Sequence, residues 1–450
     1  EIYVLKYCYR ILILTLHLTP NFCSHFIKKY VDIKWFRIVN CIFAKQAFIM
    51  INCITFKNYK IFKDKQTLVI KPITVIIGKN NSGKSAISKL PTLIEGSLNT
   101  NSAEALNLQN DGVILGAELR DLVYGKANRV IEFELYEENG DKLDVGILVS
   151  SENNKQQAII DYWNLNNSVA LEYSGTEDRY FEAITKNNLN CSFEGIRLQT
   201  STKQKARAPL PEDSQFNVYT DFIGPIRAQP QRDYRFPTAF TNGKFGISGE
   251  NAYYQLIADA LTTDKKLVTK VGEWYKHNFE GWELKINQDK APLFQVEIHR
   301  DELKQNILDT GIGMSQVLPI VTRALMPCEQ ETLVIIEEPE THLHPAAHGN
   351  LASLLVESLA QGNKKYLIET HSLNFVLRLR RLIVEKLIDR SQIGLYYVDF
   401  SEENNSSSLQ KLEIDELGRV EGWPDGIFNE SLEETIAIRS AQIDIQNDAS

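Results

Sequence analysis

The chain has 450 residues, enough to bury two or three domain-sized cores. Its formal net charge of −9 gives no basis for whole-domain, nonspecific binding to nucleic acid, although a local basic patch stays open. Residues 1–49 differ from the rest. They are rich in Ile, Leu, Phe, Tyr and Cys, and carry seven Lys/Arg against two Asp/Glu. Taking these from the totals of 49 basic and 58 acidic residues leaves 42 and 56, so the remainder is the more acidic part. A new opening, MINCITFKNYKIF, starts at Met50. Residues 1–49 are therefore expected to lie outside the working domain, as upstream sequence translated from a mis-set start. The alternative is a membrane anchor, but His17, Pro20 and nearby lysines interrupt the apolar Ile11–Leu16 before it reaches the ~18 residues a span needs. No small-residue cleavage site follows it either, so no membrane association is expected.

From Met50 on, residues 51–56 and 67–77 read as strands rich in Ile, Val and Thr, divided by the polar turn Lys63-Asp64-Lys65. The aromatics of Lys57–Phe62 serve either an adenine ring or the packing of that hairpin. The second strand runs into Gly78-Lys79-Asn80-Asn81-Ser82-Gly83-Lys84-Ser85, which fits the phosphate-loop pattern at every fixed position. Gly78 and Gly83 let the backbone curl, so that the N–H groups of the loop, through Asn80, Asn81 and Ser82, turn toward phosphate oxygens. Lys84 then reaches the β/γ-phosphates and the Ser85 hydroxyl is placed to ligand Mg²⁺. A helix is expected over 84–95.

Residues 99–110 are polar and irregular. From 129 to 200, short segments alternate at period two between Asn/Gly turns, which predicts a mostly antiparallel sheet. Lys203–Arg207 is a short basic segment. Phe222–Phe236 ends a strand and carries Arg227, Arg232 and Arg235, either contacting phosphates or forming a solvated loop. Residues 251–261 and 265–279 read as helices and 294–299 as a strand, with Trp274, Tyr275 and Trp282 as core. No heptad is sustained between 85 and 307, so no long coiled coil is expected.

From 309 to 400 the order is loop, helix, strand, carboxylate turn, helix, strand, histidine, helix, strand, a parallel α/β arrangement. Leu333–Ile336 is an apolar strand ending in Glu337 and Glu338. A carboxylate delivered beside the phosphate loop holds Mg²⁺ and the next one polarises water, so Glu337 is assigned to the metal and Glu338 to the water. Tyr366–Glu369 leads to His371 at the end of the next strand, placed to hydrogen-bond the γ-phosphate or orient the water. His342, His344 and His348 lack the further ligands a zinc site needs. Gly311, Gly313, Ser315 and Gln316 precede an apolar helix and form a second anion nest, most simply used on another chain's nucleotide. Cys53, Cys191 and Cys328 have no ligand spacing and read as buried thiols of a reducing cytoplasm.

Taken together, GKNNSGKS (78–85), DTGIGMSQVLP (309–319), LVIIEEPETHLHP (333–345) and LIETHS (367–372) resemble the ABC-type ATPases of the SMC/RecF/OLD group. The bacterial AAA-family, OLD-like ATPases with a short uncharacterised C-terminal domain look most similar, their Gly-x-Pro-x-Gly-x-Phe pattern standing here at Gly422–Phe428. The resemblance implies an α/β fold: an ABC-type P-loop NTPase head with a mixed or antiparallel sheet lobe, a helical insertion and no long coiled coil. It divides the chain into an extension (1–49), an N-terminal half with the Walker A loop (50–128), a sheet lobe and helical insertion (129–306), a C-terminal half (307–405) and a small C-terminal domain with a polar tail (406–450). It implies ATP and Mg²⁺ as cofactors, with Gly78–Ser85 as Walker A, Glu337 and Glu338 as Walker B and His371 as the switch histidine. Gly313, Ser315 and Gln316 become the signature that completes the site in trans, hence an ATP-dependent homodimer.

Three departures stand out. Glu337 replaces the usual Walker B Asp, no Q-loop glutamine is evident, and the coiled-coil arm of SMC relatives is missing. The about 80 residues after His371 are too few for the Toprim nuclease domain of OLD nucleases. Three functions stay open: an ATPase gating an effector protein encoded nearby, as in anti-phage defence; a RecF-like, ATP-clamped DNA-binding or repair module; and a nonenzymatic, nucleotide-stabilised scaffold.

Overall fold

The computed structural model describes residues 50–424, except 153–154, 168, 176–178, 183–187, 200–215 and 238–242, together with 436–440 and 442. The expectations for 1–49, for the basic segment 203–207 and for the end of the Gly-x-Pro pattern lie outside the described residues.

Ile73–Gly78 and Thr332–Glu337 are largely apolar runs without alternation, Lys364–Glu369 carries Tyr366-Leu367-Ile368 between two lysines and Glu369, and every residue in the three is buried. Such strands belong in the middle of a parallel sheet covered on both faces. They sit in a seven-stranded sheet in which Thr220–Ile223, Thr332–Glu337, Lys364–Glu369, Ile73–Gly78 and Ile393–Ser401 run parallel in that spatial order. Ser406–Ile414 and Val420–Glu421 extend one edge antiparallel. The pleat sends alternate side chains to opposite faces. Val75, Ile77, Val334, Ile336, Tyr366 and Ile368 enter one core, and Ile76, Leu333, Ile335 and Leu367 the other.

The single strand expected over 67–77 is two. Gln66–Val69 pairs with Ile51–Lys57, and Ile73–Gly78 enters the parallel sheet. The break falls at Lys71-Pro72, where proline offers no N–H to a ladder and Lys71 N turns to Thr74 Oγ1 at 2.8 Å. The helix after the phosphate loop is also divided, into Lys84–Ser88 and Leu90–Leu98, the latter with Pro91 in its first turn.

The second sheet is the expected antiparallel lobe. Its eight strands run in the order Asn188–Asn190, Arg179–Glu182, Val169–Tyr173, Lys155–Leu165, Lys142–Glu152, Val130–Glu137, Ile51–Lys57, Gln66–Val69. Val130–Glu137 alternates buried and half-buried along its length, as its period-two pattern requires. Tyr59 and Phe62 are fully buried in its core, with edge-on contacts joining Phe56, Tyr59, Phe62 and Phe133. Tyr59 Oη donates to Ala86 O at 3.2 Å, so these aromatics pack the hairpin against the phosphate-loop helix.

Asn251–Ala260 and Lys266–Asn278 pack with a small sheet containing Glu283–Asn287 and Leu293–Arg300 and with the helix Ile312–Leu325, called here the signature helix. Tyr275 is fully buried and donates to Met314 O at 2.5 Å, while Trp274 and Trp282 pack against the same core. The longest described helices have 14 residues, so the described residues hold no long coiled coil. None of those helices is long and apolar enough to cross a membrane.

Candidate functional site

Parallel strands end on one edge, so a residue at each strand's end meets its neighbours there. Glu337 and Glu369 are direct register partners, and Glu369 in turn pairs with Ile76, two residues before Gly78. The phosphate loop begins at that edge. A Cβ on Gly78 would lie 2.5 Å from Val398 O, and one on Gly83 2.6 Å from Ile61 Cδ1 at a left-handed φ of 106°. Only glycine fits either place.

Lys84 is buried, and its Nζ folds back over the loop to donate to Lys79 O at 2.8 Å. Burial lowers its pKa, against the opposing charges of Glu369 and Glu338. Ser85 Oγ donates to Glu369 Oε1 at 2.9 Å. The fully buried Ser88 places its Oγ 2.6 Å from Glu337 Oε1 and 3.1 Å from Glu369 Oε2. Burial raises both acids, and for Glu369 the adjacent Glu337 adds to it, pushing it up to about 7. Two serine hydroxyls and two carboxyls under strain from each other form an oxygen-only donor set, which suits a hard divalent cation.

The strand Thr332–Glu337 runs into a turn at Glu338, whose φ of 47° is left-handed although it is not glycine. Glu338 N donates to Glu369 O at 2.8 Å, and Thr341 Oγ1 donates to Glu338 Oε2 at 3.1 Å. One turn on, Glu340 Oε1 accepts from Thr370 Oγ1 at 2.8 Å and from His371 N at 2.7 Å. The His371 ring is accessible; partial desolvation, then the Lys84 charge, lower its pKa. Lys84, Ser85, Glu337, Glu338 and His371 are thus gathered at one edge, together with the 78–85 loop that holds Asn80, Asn81 and a buried Ser82.

The three arginines of the 222–236 loop go separate ways. Arg227 is buried, and its Nη2 donates to both Glu337 O and Glu338 O at 2.8 Å. Arg232 makes a forked, exposed pair with Asp309 at 3.0 and 2.6 Å, and Arg235 is exposed.

Gly313, Ser315 and Gln316 lie behind the Glu338 turn. A Cβ on Gly313 would stand 2.6 Å from His342 O, so close approach within the chain already requires glycine there. Ser315 Oγ donates to Ile312 O at 3.0 Å and Gln316 Nε2 to Arg227 O at 3.3 Å, both side chains being buried. In this conformation they serve the chain's own packing. The end of the helix open to solvent is Gly311 and Ile312. Nor do the histidines gather: His344 Nδ1 accepts from Ala346 N as a helix cap, and His348 bonds to Ser372 Oγ and Leu343 O. No group of three or more His, Cys, Asp or Glu that could hold a metal occurs among the described residues.

Glu369, Ser88 and Glu340 escaped the sequence reading, and Arg227, read there as a phosphate contact or part of a solvated loop, is buried against the carbonyls of Glu337 and Glu338. Glu369 had a signal, a second strand-end acid two residues before His371, but its pairing with Glu337 needs the strand register. Ser88 sits three residues after Ser85, on the same helix face.

Residues 73–378 match the family described as "AAA domain, putative AbiEii toxin, Type IV TA system". The chain belongs to that family. Residues 388–437 match a second, described as a protein of unknown function. No curated protein matches. Among solved structures, the SMC head domain from Thermotoga maritima is similar at 13% identity and a TM-score of 0.37, covering 81% of this chain and 100% of its own. An SMC head bound to the C-winged helix domain of ScpA gives 13%, 0.42, 81% and 98%. The SMC head with an extended coiled coil, bound to the C-terminal domain of ScpA derived from Pyrococcus furiosus, gives 11%, 0.37, 87% and 99%. Residues 73–378 are thus an AAA domain by the family match, and its residues fit a nucleotide with a divalent cation. The glycine loop, the buried Lys84, the buried Ser82 Oγ without a partner among the described residues, and the oxygen donors at Ser85, Glu337 and Glu369 all converge.

Proposed function

We propose that the protein binds Mg²⁺–ATP at this edge and hydrolyses it, and that two copies close over the nucleotides. One observation carries the reading: Lys84, Ser85, the Glu337–Glu369 pair, Glu338 and His371 come from separate segments to one sheet edge. The loop N–H groups and Lys84 hold the phosphates. Ser85 and the two paired acids hold the cation, which when bound screens phosphate charge and aligns the terminal phosphate for attack. Glu338 stands one residue beyond, free to take a proton from water, and His371 hydrogen-bonds the terminal phosphate.

A second copy brings Gly313, Ser315 and Gln316 of its signature helix toward that phosphate, led by the accessible Gly311–Ile312 end. ATP then strengthens assembly and hydrolysis releases it, by linkage. The output of such a cycle is the gating of a partner effector, in the manner of anti-phage defence ATPases.

The test is labelled-ATP binding and phosphate release by wild type, Lys84→Ala and Gly311→Arg. The arginine is tolerated locally, because a side chain at Gly311 meets nothing within 4 Å. Lys84→Ala is expected to lose ATP, and each variant alone to be inactive. Mixing them restores one composite site per heterodimer and partial turnover. Wild-type-like ATP binding by Lys84→Ala refutes the site, and heterodimers that stay inactive refute the shared one.

A further inference from the structure

We propose that Arg227 and Glu340 are positioning residues that jointly set Glu338 and His371 for hydrolysis, and that Gln316 ties this setting to the signature helix. The inference rests on the ATPase reading above and concerns the regulation of that same site.

Arg227 is 2% exposed, and its Nη2 is shared between two successive carbonyls, Glu337 O and Glu338 O. Those carbonyls flank a left-handed backbone position at the start of the turn, Glu338 at 47°. A non-glycine residue stays in that region only where its surroundings over-determine it. Here the determinants are Arg227 and the Thr341 N–H on the carbonyl side and Glu369 O on the N–H side. Glu340 does for the histidine what Arg227 does for the glutamate. Its Oε1 takes His371 N and Thr370 Oγ1, fixing the backbone from which the His371 ring projects.

Both charged groups are buried close to the turn. Among the charges acting on Arg227, that of Glu340 is the strongest, with Glu338 next. Arg227 Nε and Nη1 and Glu340 Oε2 are buried without a hydrogen-bonding partner among the described residues. Burying charge without full pairing is costly, and a neutral side chain of similar volume would pack here without that cost. What the arginine supplies is a rigid, planar Nη2 group aimed at both carbonyls of the turn, and what the carboxylate adds to its acceptor for the His371 backbone is a negative charge that acts on that guanidinium. The backbone of Arg227 is in turn gripped by the signature helix, since its carbonyl accepts from Gln316 Nε2. A shift of that helix is therefore felt at Arg227, and through it at Glu338. This is a contiguous chain of contacts, and coupling along it is measurable by a double-mutant cycle.

The experiment uses the full chain and measures kcat and KM for phosphate release, ATP affinity and the thermal midpoint of wild type, Arg227→Lys, Glu340→Gln, Gln316→Ala and the Arg227→Lys/Glu340→Gln double variant. Lysine keeps the charge but loses the fork, so Arg227→Lys is expected to lower kcat by about ten-fold or more, the scale of a misplaced catalytic group. Glu340→Gln keeps the Oε1 acceptor but loses the charge that acts on Arg227, and is expected to lower kcat less. Gln316→Ala is expected to lower it least. In Arg227→Lys and Glu340→Gln the ATP affinity and the thermal midpoint stay near wild type, and the double variant is no slower than Arg227→Lys alone. The inference is overturned if kcat is unchanged in both single variants, if it falls only in step with ATP affinity or the midpoint, or if the two losses multiply. A wild type that binds ATP without turnover refutes the ATPase reading itself, and this inference falls with it; an active wild type with indifferent variants refutes the inference alone.

Discussion

The parallel and antiparallel sheets use burial in opposite ways. In the parallel sheet the central strands are buried on both faces from end to end, so polar groups stand at the strand ends, the carboxylates Glu337 and Glu369 together on the edge of the phosphate loop. The antiparallel lobe buries one set of side chains per strand, and its charged residues are spread along the other. There they pair across neighbouring strands, as Lys57 with Glu132 and Lys142 with Glu134. None of the residues assigned to nucleotide or cation lies on a lobe strand. The difference teaches that the number of charges in a region says little about chemistry: the lobe has many charges held in cross-strand pairs, the edge has few and forces them together.

If that division is right, disturbing the edge changes chemistry and disturbing the lobe changes only stability. The largest expected effect is at Glu338. Glu338→Gln keeps the shape of the turn but removes the base, so phosphate release is expected to fall by roughly 10²-fold or more while labelled ATP still binds. Parallel loss of ATP binding and turnover would put Glu338 on the cation instead. In the lobe, Trp163 is buried and its Nε1 donates to the buried Ile196 O at 3.1 Å. Trp163→Phe leaves that carbonyl unpaired, and is expected to cost about 1–3 kcal/mol in denaturant unfolding. Turnover per folded molecule stays at the wild-type level; a drop in kcat would show that the lobe shapes the site.

The smallest effect is a pH dependence at the edge, read without nucleotide and with a chelator. Glu369 is raised from an ordinary carboxyl value of 4.5 to about 7 in the folded chain. The folded state therefore holds that proton more tightly than the unfolded one. The stability it contributes is fully present below the ordinary value and is lost as the pH rises through about 7. Glu369→Gln, which cannot ionise, is expected to overtake wild type in thermal midpoint as the pH climbs through that window. Midpoints that stay parallel across it would show that the pair is not strained in the folded protein.

The amino-acid sequence by itself determined the phosphate loop, because glycine, lysine and serine at fixed spacing admit one backbone path around an anion. It marked parallel strands through the apolar runs Ile73–Ile77 and Leu333–Ile336 and the lobe through period-two alternation. It also marked Glu337, Glu338 and His371 as strand-end polar groups. Local pattern failed where the partner lies far along the chain. That Glu369 faces Ser85 and Glu337 is a matter of strand register, fixed by packing 32 and 284 positions apart. Whether Arg227 or Arg232 of one loop would be buried could not be read from their spacing. It was decided by which of them met the carbonyls of the Glu338 turn and which met Asp309 in water. The same holds for Gly313, which as sequence is a nest residue and in the fold is also the only side chain small enough to let His342 O approach. Motif spacing is a property of a short stretch of backbone; register and desolvation belong to the folded whole.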